Sequence, residues 1–249
     1  MRCVRGFFST VSFICFGVGG LFIGIILFPI LFIIIPYKKR QRVMVKVVSV
    51  SWKLFVKLMS FFRLISVRIK NKERLSNLKG TVVVANHPSL IDIVLLIAII
   101  PDAVCIVKGK LSKNFFVKHI VRAIYIINDS PETFLTDGED AIAQGFNVVI
   151  FPEGTRTSLG NEKENFKNVK LHRGFAQLAI RSEARILPIK ISLSYRILAK
   201  EKKWYDVGDK TIKYTLDVLQ PILLKESKKN VHSYAIELTE KVKEILFKG

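Results

Sequence analysis

The chain has 249 residues, half of them hydrophobic, which is enough for one domain with a full core and one appendage. Forty Lys and Arg against twenty Asp and Glu give a formal net charge of +20, and such a charge favours polyanionic partners. Because the basic residues are spread along the chain and the N-terminus is very apolar, an anionic membrane is favoured over nucleic acid. The cysteines, Cys3, Cys15 and Cys105, are far apart, which argues against a disulfide framework and a zinc site.

An uncharged segment lies near the start of the chain. Residues 6–37 contain no charged side chain, and a helix of this length, at ~1.5 Å per residue, exceeds the ~30 Å hydrocarbon core of a bilayer. Pro29 is expected to kink or end that helix, which leaves residues 6–28 as a piece of spanning length. A secretory signal peptide would have a shorter apolar region and a small-residue cleavage site, so the segment is interpreted as a retained membrane anchor.

Basic residues flank this segment on both sides. The residues that follow it are Lys38, Lys39, Arg40 and Arg42. By the positive-inside rule, they place the rest of the chain on the cytoplasmic side of the inner membrane. Arg2 and Arg5 precede the segment, so a single span and a re-entrant helix with both ends on the cytoplasmic side remain open.

A second apolar helix is predicted over residues 41–68. Its polar side chains recur every three or four residues and would form a stripe along one face, namely Arg42, Lys46, Ser49, Lys53, Lys57 and Ser60. A basic stripe on an otherwise apolar helix is typical of a helix that lies among lipid headgroups, and the alternative is a core helix with lysines at its solvent edge. Residues 1–70 are therefore predicted to be a membrane anchor and interfacial helix, and residues 71–249 an α/β domain.

Strands and helices alternate in the remaining chain. Short apolar or alternating runs predict strands at residues 81–85, 103–108, 123–127, 147–151, 185–192 and 211–219. Capped or amphipathic segments predict helices at residues 88–99, 113–121, 131–144, 173–182 and 228–247. This alternation predicts an α/β fold with a mixed central sheet flanked by helices, preceded by an N-terminal two-helix membrane motif.

One histidine follows the first of these strands. Asn86-His87-Pro88-Ser89 comes directly after residues 81–85, and Asp92 stands five residues beyond the histidine. Pro88 is predicted at the first position of a helix, which leaves His87 at the cap. Asp92 would then accept a hydrogen bond from one imidazole nitrogen, and the other nitrogen could take the proton of a substrate hydroxyl. The alternative is a cap histidine beside an unrelated acid; the other histidines, His119, His172 and His232, are expected to be solvated.

A second motif, Phe151-Pro152-Glu153-Gly154-Thr155-Arg156, follows the strand predicted at residues 147–151. Gly154 permits a close approach of the backbone, and Arg156 offers a planar fork suited to phosphate. Glu153 would bind a substrate hydroxyl or position the arginine. The alternative is an ordinary Glu-Gly turn beside a surface arginine, and two strand ends with complementary chemistry make that alternative weaker.

Together the two motifs resemble those of the glycerolipid acyltransferase family. Lys108 and the segment to residue 127 resemble the second sequence block of that family, and residues 186–189 resemble its fourth block. The resemblance covers about residues 80–192, and the N-terminal two-helix motif is also similar to bacterial members. Where the second block often ends in Ile-Asp-Arg, this chain has Asn128 in a segment without that arginine.

The resemblance implies a role for each matching residue. His87 is expected to be the general base that Asp92 orients. The substrate-binding residues implied are Lys108, Glu153, Gly154, Thr155, Arg156 and Pro188, with Arg156 and Lys108 on an acceptor phosphate and Pro188 on the acyl-donor side. No metal and no cofactor is implied.

The reaction implied is the transfer of an acyl chain from acyl carrier protein or coenzyme A to a lyso-glycerophospholipid, with 1-acyl-sn-glycerol-3-phosphate becoming phosphatidic acid. The acceptor hydroxyl would attack the thioester directly, in agreement with a sequence that has no Gly-x-Ser-x-Gly nucleophile motif. Membrane lipids are expected partners and nucleic acid is not. Two alternatives remain: an acyltransferase for another hydroxylated lipid or polyene-type product, and a non-catalytic membrane protein that binds lipid or nucleic acid.

Overall fold

The computed structural model of the protein describes residues 2–108, 125–128, 130–157, 169–195, 197–198, 206–224 and 230–248. Within these residues the strands, in chain order, are β1 (Ile65–Lys70), β2 (Val82–Ala85), β3 (Ala103–Lys108), β4 (Tyr125–Asn128), β5 (Asn147–Ile150), β6 (Ile186–Leu193) and β7 (Ile212–Val218). They form one sheet in the order β1-β7-β6-β2-β5-β3-β4.

The sheet is mixed, as predicted. β6 and β7 run antiparallel, whereas the other neighbouring pairs of described strands run parallel. All residues of β2 and β5 are buried, which is typical of strands covered by helices on both faces. In the register, Val84 of β2 lies beside Ile150 of β5. Because these parallel neighbours end at the same level, the loops that follow them leave the same edge of the sheet.

A helical rod precedes the sheet. It consists of α1 (Arg2–Phe22), a π-helical turn (Ile23–Leu27) and α2 (Phe28–Ile34). By length and composition, the stretch Cys3–Ile34 is long and apolar enough to cross a membrane. Of the two alternatives expected for Pro29, a kink or an end of the helix, the second is wrong. A π-helical turn, the kind of irregularity that accompanies a bend, lies just before this proline, and the rod continues to Ile34.

Four further helices in the described residues cover the sheet together with α3 (Tyr37–Phe61). They are α4 (Asp92–Ile99), α5 (Pro131–Ala143), α6 (Gly174–Arg181) and α7 (Val231–Phe247). α3 packs on α4, and α6 packs on both α5 and α7. α5 begins as predicted at Ser130, whose hydroxyl accepts from the Thr133 N–H, a cap that satisfies an otherwise free donor of the first turn.

Two predicted helices differ from the structure at a boundary, and a third cannot be compared. The helix predicted over residues 41–68 ends at Phe61, and residues 65–70 form β1, which pairs with β7 at the edge of the sheet. The helix predicted from Pro88 begins at Asp92 instead. The helix predicted at residues 113–121 lies outside the described residues.

α3 has one buried and one exposed face. Its buried side chains are Met44, Val45, Val48, Trp52, Phe55 and Met59, and its lysines Lys46, Lys53 and Lys57 are exposed. The helix is therefore part of the core along one face, with the predicted basic stripe at the solvent edge.

Candidate active site

His87 and Asp92 form a hydrogen-bonded pair just beyond the end of β2. The distance from His87 Nδ1 to Asp92 Oδ2 is 3.0 Å. An ionised carboxylate can only accept, so Nδ1 carries the proton and Nε2 is the nitrogen with a free lone pair. The imidazole also stacks on Phe151, with ring centroids 4.1 Å apart, and the His87 side chain remains 15% exposed. The predicted pair is thus present, with a tautomer suited to proton abstraction at Nε2.

The pair meets through a turn rather than through a helix cap. Residues 88–91 are non-helical, and the Ser89 N–H donates to Asp92 Oδ2 at 2.6 Å. Asp92 is the first residue of α4, and its own N–H donates to the Ser89 carbonyl at 3.2 Å. The prediction of Pro88 at the first helical position is therefore wrong. The Asp92 side chain closes the turn, and this closure brings the carboxylate back towards His87.

Asp92 is completely buried. Burial raises its pKa from 3.8 to about 6, although the hydrogen bond and charge of His87 and the N–H of Ser89 act in the opposite direction. Both donors contact Oδ2, and Oδ1 has no hydrogen-bond partner among the described residues. The site therefore holds a desolvated carboxylate whose ionisation falls close to neutral pH.

The second motif holds the backbone of His87. Glu153 Oε1 accepts from the His87 N–H at 2.9 Å and from the Thr157 hydroxyl at 2.8 Å. The Thr157 N–H donates to the His87 carbonyl at 2.7 Å. Burial raises the pKa of Glu153, partly offset by these donors. Glu153 therefore fixes the backbone of His87 through Oε1. The prediction that Glu153 binds a substrate hydroxyl or positions Arg156 stays a prediction.

Position 154 requires a glycine, because of its backbone conformation and because of the side chain beside it. Its φ is +64°, and a Cβ atom at this position would lie 3.0 Å from the ring of His172. The His172 N–H also donates to the Pro152 carbonyl at 2.8 Å. His172 is exposed, as expected of a solvated histidine, but its ring borders the motif. Thr155, the next residue, is exposed at the same turn.

Arg156 lies at the same loop and is half-buried. Its Nη1 donates to the Leu198 carbonyl at 2.6 Å, and the guanidinium carries four further N–H donors. Lys108 is the last residue of β3, whose parallel neighbour is β5, so it lies at the same edge of the sheet. Pro188 is buried within β6, where its register partner is Val84. It therefore lies inside the sheet rather than at the edge.

Asn86 continues the pairing of β2 with β6 beyond the end of the strand. Its Oδ1 accepts from the Ile191 N–H at 2.7 Å, and its Nδ2 donates to the Ile191 carbonyl at 2.9 Å. The amide therefore replaces a peptide group in the ladder and fixes the chain just before His87. Sequence reasoning missed this role and that of Thr157, because both depend on contacts with distant segments.

An apolar cavity of about 660 Å³ adjoins the site. Side chains of α1, α3 and α4 line it, together with Leu90 and Ile91 of the turn that follows His87 and with Leu198, whose carbonyl Arg156 contacts. Its volume falls within the ~300–1,000 Å³ range of small-molecule sites. The cavity can therefore receive a long apolar group beside the turn that follows His87.

The arrangement can perform base chemistry on a hydroxyl group. Within the described ranges there is no group of three or more His, Cys, Asp and Glu side chains able to hold a metal ion. The elements present are a base, a buried carboxylate that orients it, a half-buried arginine and an apolar cavity.

Comparisons with known proteins agree with this chemistry. A family model described as Acyltransferase matches residues 66–192. The human 1-acyl-sn-glycerol-3-phosphate acyltransferase beta is 23% identical over 172 residues, which are 66% of this chain and 59% of that protein. The chain thus spans about three fifths of that curated relative. The crystal structure of the 1-acyl-sn-glycerophosphate (LPA) acyltransferase PlsC from Thermotoga maritima matches with a TM-score of 0.71 over 98% of each chain, at 21% identity, and this likeness confirms the fold.

Proposed function

The chain belongs to the acyltransferase family, and from this premise we propose that it transfers an acyl chain from a thioester to the hydroxyl of a lyso-glycerophospholipid. The acceptor that we propose is 1-acyl-sn-glycerol-3-phosphate, which becomes phosphatidic acid. The observation that carries the proposal is the His87–Asp92 pair at 3.0 Å, beside an arginine and an apolar cavity. The names of the human relative and of the Thermotoga maritima protein both include this acceptor.

The reaction that we propose is a direct transfer. Nε2 of His87 takes the proton of the acceptor hydroxyl as its oxygen attacks the thioester carbonyl. Asp92 stabilises the imidazolium that forms. The tetrahedral intermediate then expels the thiolate, which takes the proton back from the imidazolium, so that an ester and a free thiol result. Glu153 and Thr157 keep His87 in place through its backbone, and no covalent acyl-enzyme is formed.

The acceptor phosphate is assigned to Arg156 and Lys108. The contact of Arg156 Nη1 with the Leu198 carbonyl fixes one branch of the guanidinium, which leaves the planar fork available to a phosphate. Lys108 ends the neighbouring strand and pairs in register with Asn128, which lies in the segment that lacks the arginine often present in the family. Another hydroxylated lipid without the phosphate is therefore the second candidate acceptor. Gly154 and Thr155 border the acceptor, and Pro188 influences the donor side only through packing of the sheet.

An acyl chain is assigned to the 660 Å³ cavity. Its walls are almost entirely apolar side chains of α1, α3 and α4, and the turn after His87 forms one wall. Burial of methylene groups there would contribute ~0.8 kcal/mol per CH₂. The acyl chain of the donor therefore supplies much of the binding energy and places its thioester end beside the turn that follows His87.

We propose that the protein is anchored in one leaflet of the inner membrane, with the catalytic edge on the cytoplasmic side. Arg5 in the first turns of α1 donates to the carbonyls of Arg63, Leu64, Gly208 and Lys210 at 2.8–3.3 Å. At the other end of the rod, the Arg40 guanidinium lies 3.7 Å from the centroid of the Phe32 ring. Both ends of the rod are thus held against the α/β body, which favours a re-entrant helix over a single span.

Membrane contact is supported by two surfaces. The rod exposes large apolar side chains, including Ile14, Val18, Ile25 and Ile33, the last at 84%. The basic stripe of α3 borders a groove of about 830 Å³, whose other wall is formed by the loops before β3 and β5. These surfaces suit acyl chains and anionic headgroups respectively. We therefore propose that the helical rod and the exposed face of α3 anchor the protein, whereas residues 65–70, predicted with the anchor, form β1 and belong to the sheet of the catalytic part.

The test is an acceptor panel with purified protein in vesicles. Labelled acyl-coenzyme A and acyl-acyl carrier protein are offered separately with 1-acyl-sn-glycerol-3-phosphate, lysophosphatidylglycerol and a hydroxylated lipid that lacks phosphate. The proposal expects labelled phosphatidic acid as the main product with at least one donor. Transfer that does not depend on the phosphate would favour the second candidate, and transfer to none of these acceptors would contradict the proposal.

A further inference from the structure

A tyrosine hydroxyl lies deep in the protein, on β7, the strand beside the edge strand β1. Tyr214 of β7 has no exposed surface, and its hydroxyl has no hydrogen-bond partner among the described residues. Asp92 is also completely buried, and its Oδ1 likewise has no hydrogen-bond partner among the described residues. A donor and an acceptor that are both buried and unpaired are costly and rare in folded proteins.

The topology brings Tyr214 to the level of the catalytic turn. Tyr214 pairs in register with Leu193 of β6, two residues beyond Ile191, which the Asn86 amide holds. β6 therefore extends past the end of β2, and Tyr214 lies beside the turn that this extension borders. There its hydroxyl is a neighbour of the Ser89 hydroxyl, at a geometry that does not form an ordinary hydrogen bond.

Ser89 lies between Tyr214 and Asp92. Its side chain is buried, its N–H donates to Asp92 Oδ2 at 2.6 Å, and its hydroxyl oxygen accepts a long contact of 3.4 Å from the Ile91 N–H. A serine hydroxyl has one proton to donate and rotates freely about its C–O bond. The Ser89 hydroxyl therefore has a proton that its printed contacts do not use, and a change in the Ser89 side-chain torsion angle would be needed to direct this proton to Oδ1 of Asp92.

We propose that Tyr214 is a positioning residue of the acyl-transfer site: its hydroxyl donates to Ser89, whose hydroxyl donates to Oδ1 of Asp92, and this keeps the carboxylate ionised and aimed at His87. The inference rests on the proposed role of His87 and Asp92 as the base. Tyr214 is suited to be the first donor of this chain of hydrogen bonds. Burial, and after it the negative charge of Asp92, raise the pKa of Tyr214 well above its ordinary value, so the phenol stays protonated.

The proposal predicts the direction in which the acidic limb of the pH–rate profile moves. The titratable groups that face Asp92 are His87, Glu153 and Tyr214. A donor to the carboxylate makes the His87–Asp92 pair less ready to take up a proton, whichever residue the proton then occupies. Removal of the donor therefore moves the acidic limb of the rate profile to higher pH.

The test compares Tyr214→Phe with the wild type and with a matched control, Tyr195→Phe. The control removes the hydroxyl that donates to Asp206 at 2.9 Å, outside the catalytic turn. In Tyr214→Phe the acidic limb of kcat/KM should move up by about one pH unit, with an about tenfold loss on the acidic side of the limb and near-normal rates above it. Tyr195→Phe should leave the limb unmoved. An unmoved limb in a folded Tyr214→Phe variant would overturn the inference.

A second measurement does not depend on turnover. The carboxyl titration of Asp92, followed by nuclear magnetic resonance and assigned from its loss in Asp92→Asn, should shift upward by a similar amount in Tyr214→Phe. If Tyr214→Phe does not fold, Ser89→Ala removes the middle hydroxyl and should give the same shift; no shift there overturns the inference. A wild type without acyl transfer would instead count against the proposed function, while the titration still decides the role of Tyr214.

Discussion

Replacement of Asp92 by Asn is expected to stabilise the protein while it slows catalysis strongly. The amide keeps the shape of the carboxylate. Its oxygen, in the place of Oδ2, can still accept from the Ser89 N–H and from Nδ1 of His87, which contact Asp92 at 2.6 and 3.0 Å. The amide is neutral, so it no longer stabilises the imidazolium that forms when Nε2 takes the proton of the acceptor hydroxyl. The rate of acyl transfer should fall by about 10²–10⁴-fold.

The gain in stability follows from the pKa of Asp92. Burial raises this pKa from 3.8 to about 6, so the folded state binds the proton more tightly than the unfolded state. Stability is lost as the pH rises from about 4 to about 6, and the full cost of about 3 kcal/mol is present above pH 6. Asp92→Asn avoids this cost. The variant should therefore be more stable than the wild type at pH 7, by up to about 3 kcal/mol, and the difference should vanish near pH 4.

The assay is urea unfolding in detergent micelles, followed by circular dichroism between pH 4 and pH 8. Asp140→Asn, on the exposed face of α5, serves as the control and should show no pH-dependent difference from the wild type. A destabilised Asp92→Asn, or a difference in the free energy of unfolding that does not change with pH, would refute the reasoning about the buried carboxylate.

Other changes test the remaining parts of the site. Arg156→Lys should raise KM for a phosphate-bearing acceptor by about tenfold with a smaller change in kcat, because an ammonium cannot reproduce the planar fork; an unchanged KM speaks against a phosphate at this residue. Gly19→Leu should lower transfer of long acyl chains more than short ones, because no atom lies within 4 Å of the position of its Cβ at the cavity wall, whereas Val18→Leu, exposed on the same helix, should not; equal losses for all chain lengths would exclude the cavity. Asn86→Asp should cost about 1–3 kcal/mol in thermal unfolding, because a carboxylate would face the Ile191 carbonyl that Nδ2 now contacts at 2.9 Å; an unchanged melting temperature would contradict the role of the amide.

The sequence predicts the central sheet well because its signal is local. Runs such as residues 82–85 and 147–150 are wholly apolar and fully buried, and they read as covered parallel strands. The sequence also predicts that His87 lies close to the motif at Glu153, because the loops after neighbouring parallel strands leave the same edge of the sheet.

The features of the structure that the sequence does not predict depend on contacts between distant segments, which local patterns do not contain. Residues 65–70 alternate between apolar and polar side chains, as an edge strand does, yet they follow so directly on an apolar helix that the helix was predicted to continue. Pro88 fits a first helical position and a turn equally well, and the side chain of Asp92 decides for the turn. Thr157 acts on a residue 70 positions away, which no spacing rule finds.

The predicted basic stripe shows the same limit. Its spacing along α3 is correct, with Lys46 and Lys53 exposed, but the periodicity does not reveal that the loops before β3 and β5 form the opposite wall of a groove. The same periodicity fits a helix on a membrane and a helix on a protein body, and α3 has a buried face of the second kind.

The central claim is that His87 removes the proton of the acceptor hydroxyl. It is tested most directly by the turnover of His87→Ala in vesicles that contain 1-acyl-sn-glycerol-3-phosphate and an acyl thioester, measured beside His232→Ala, which changes an exposed histidine on α7. The account predicts that the first variant loses at least about 10²–10⁴-fold in kcat while it still folds and binds vesicles, and that the second variant matches the wild type. Phosphatidic acid formed by His87→Ala at a rate near that of the wild type would contradict it.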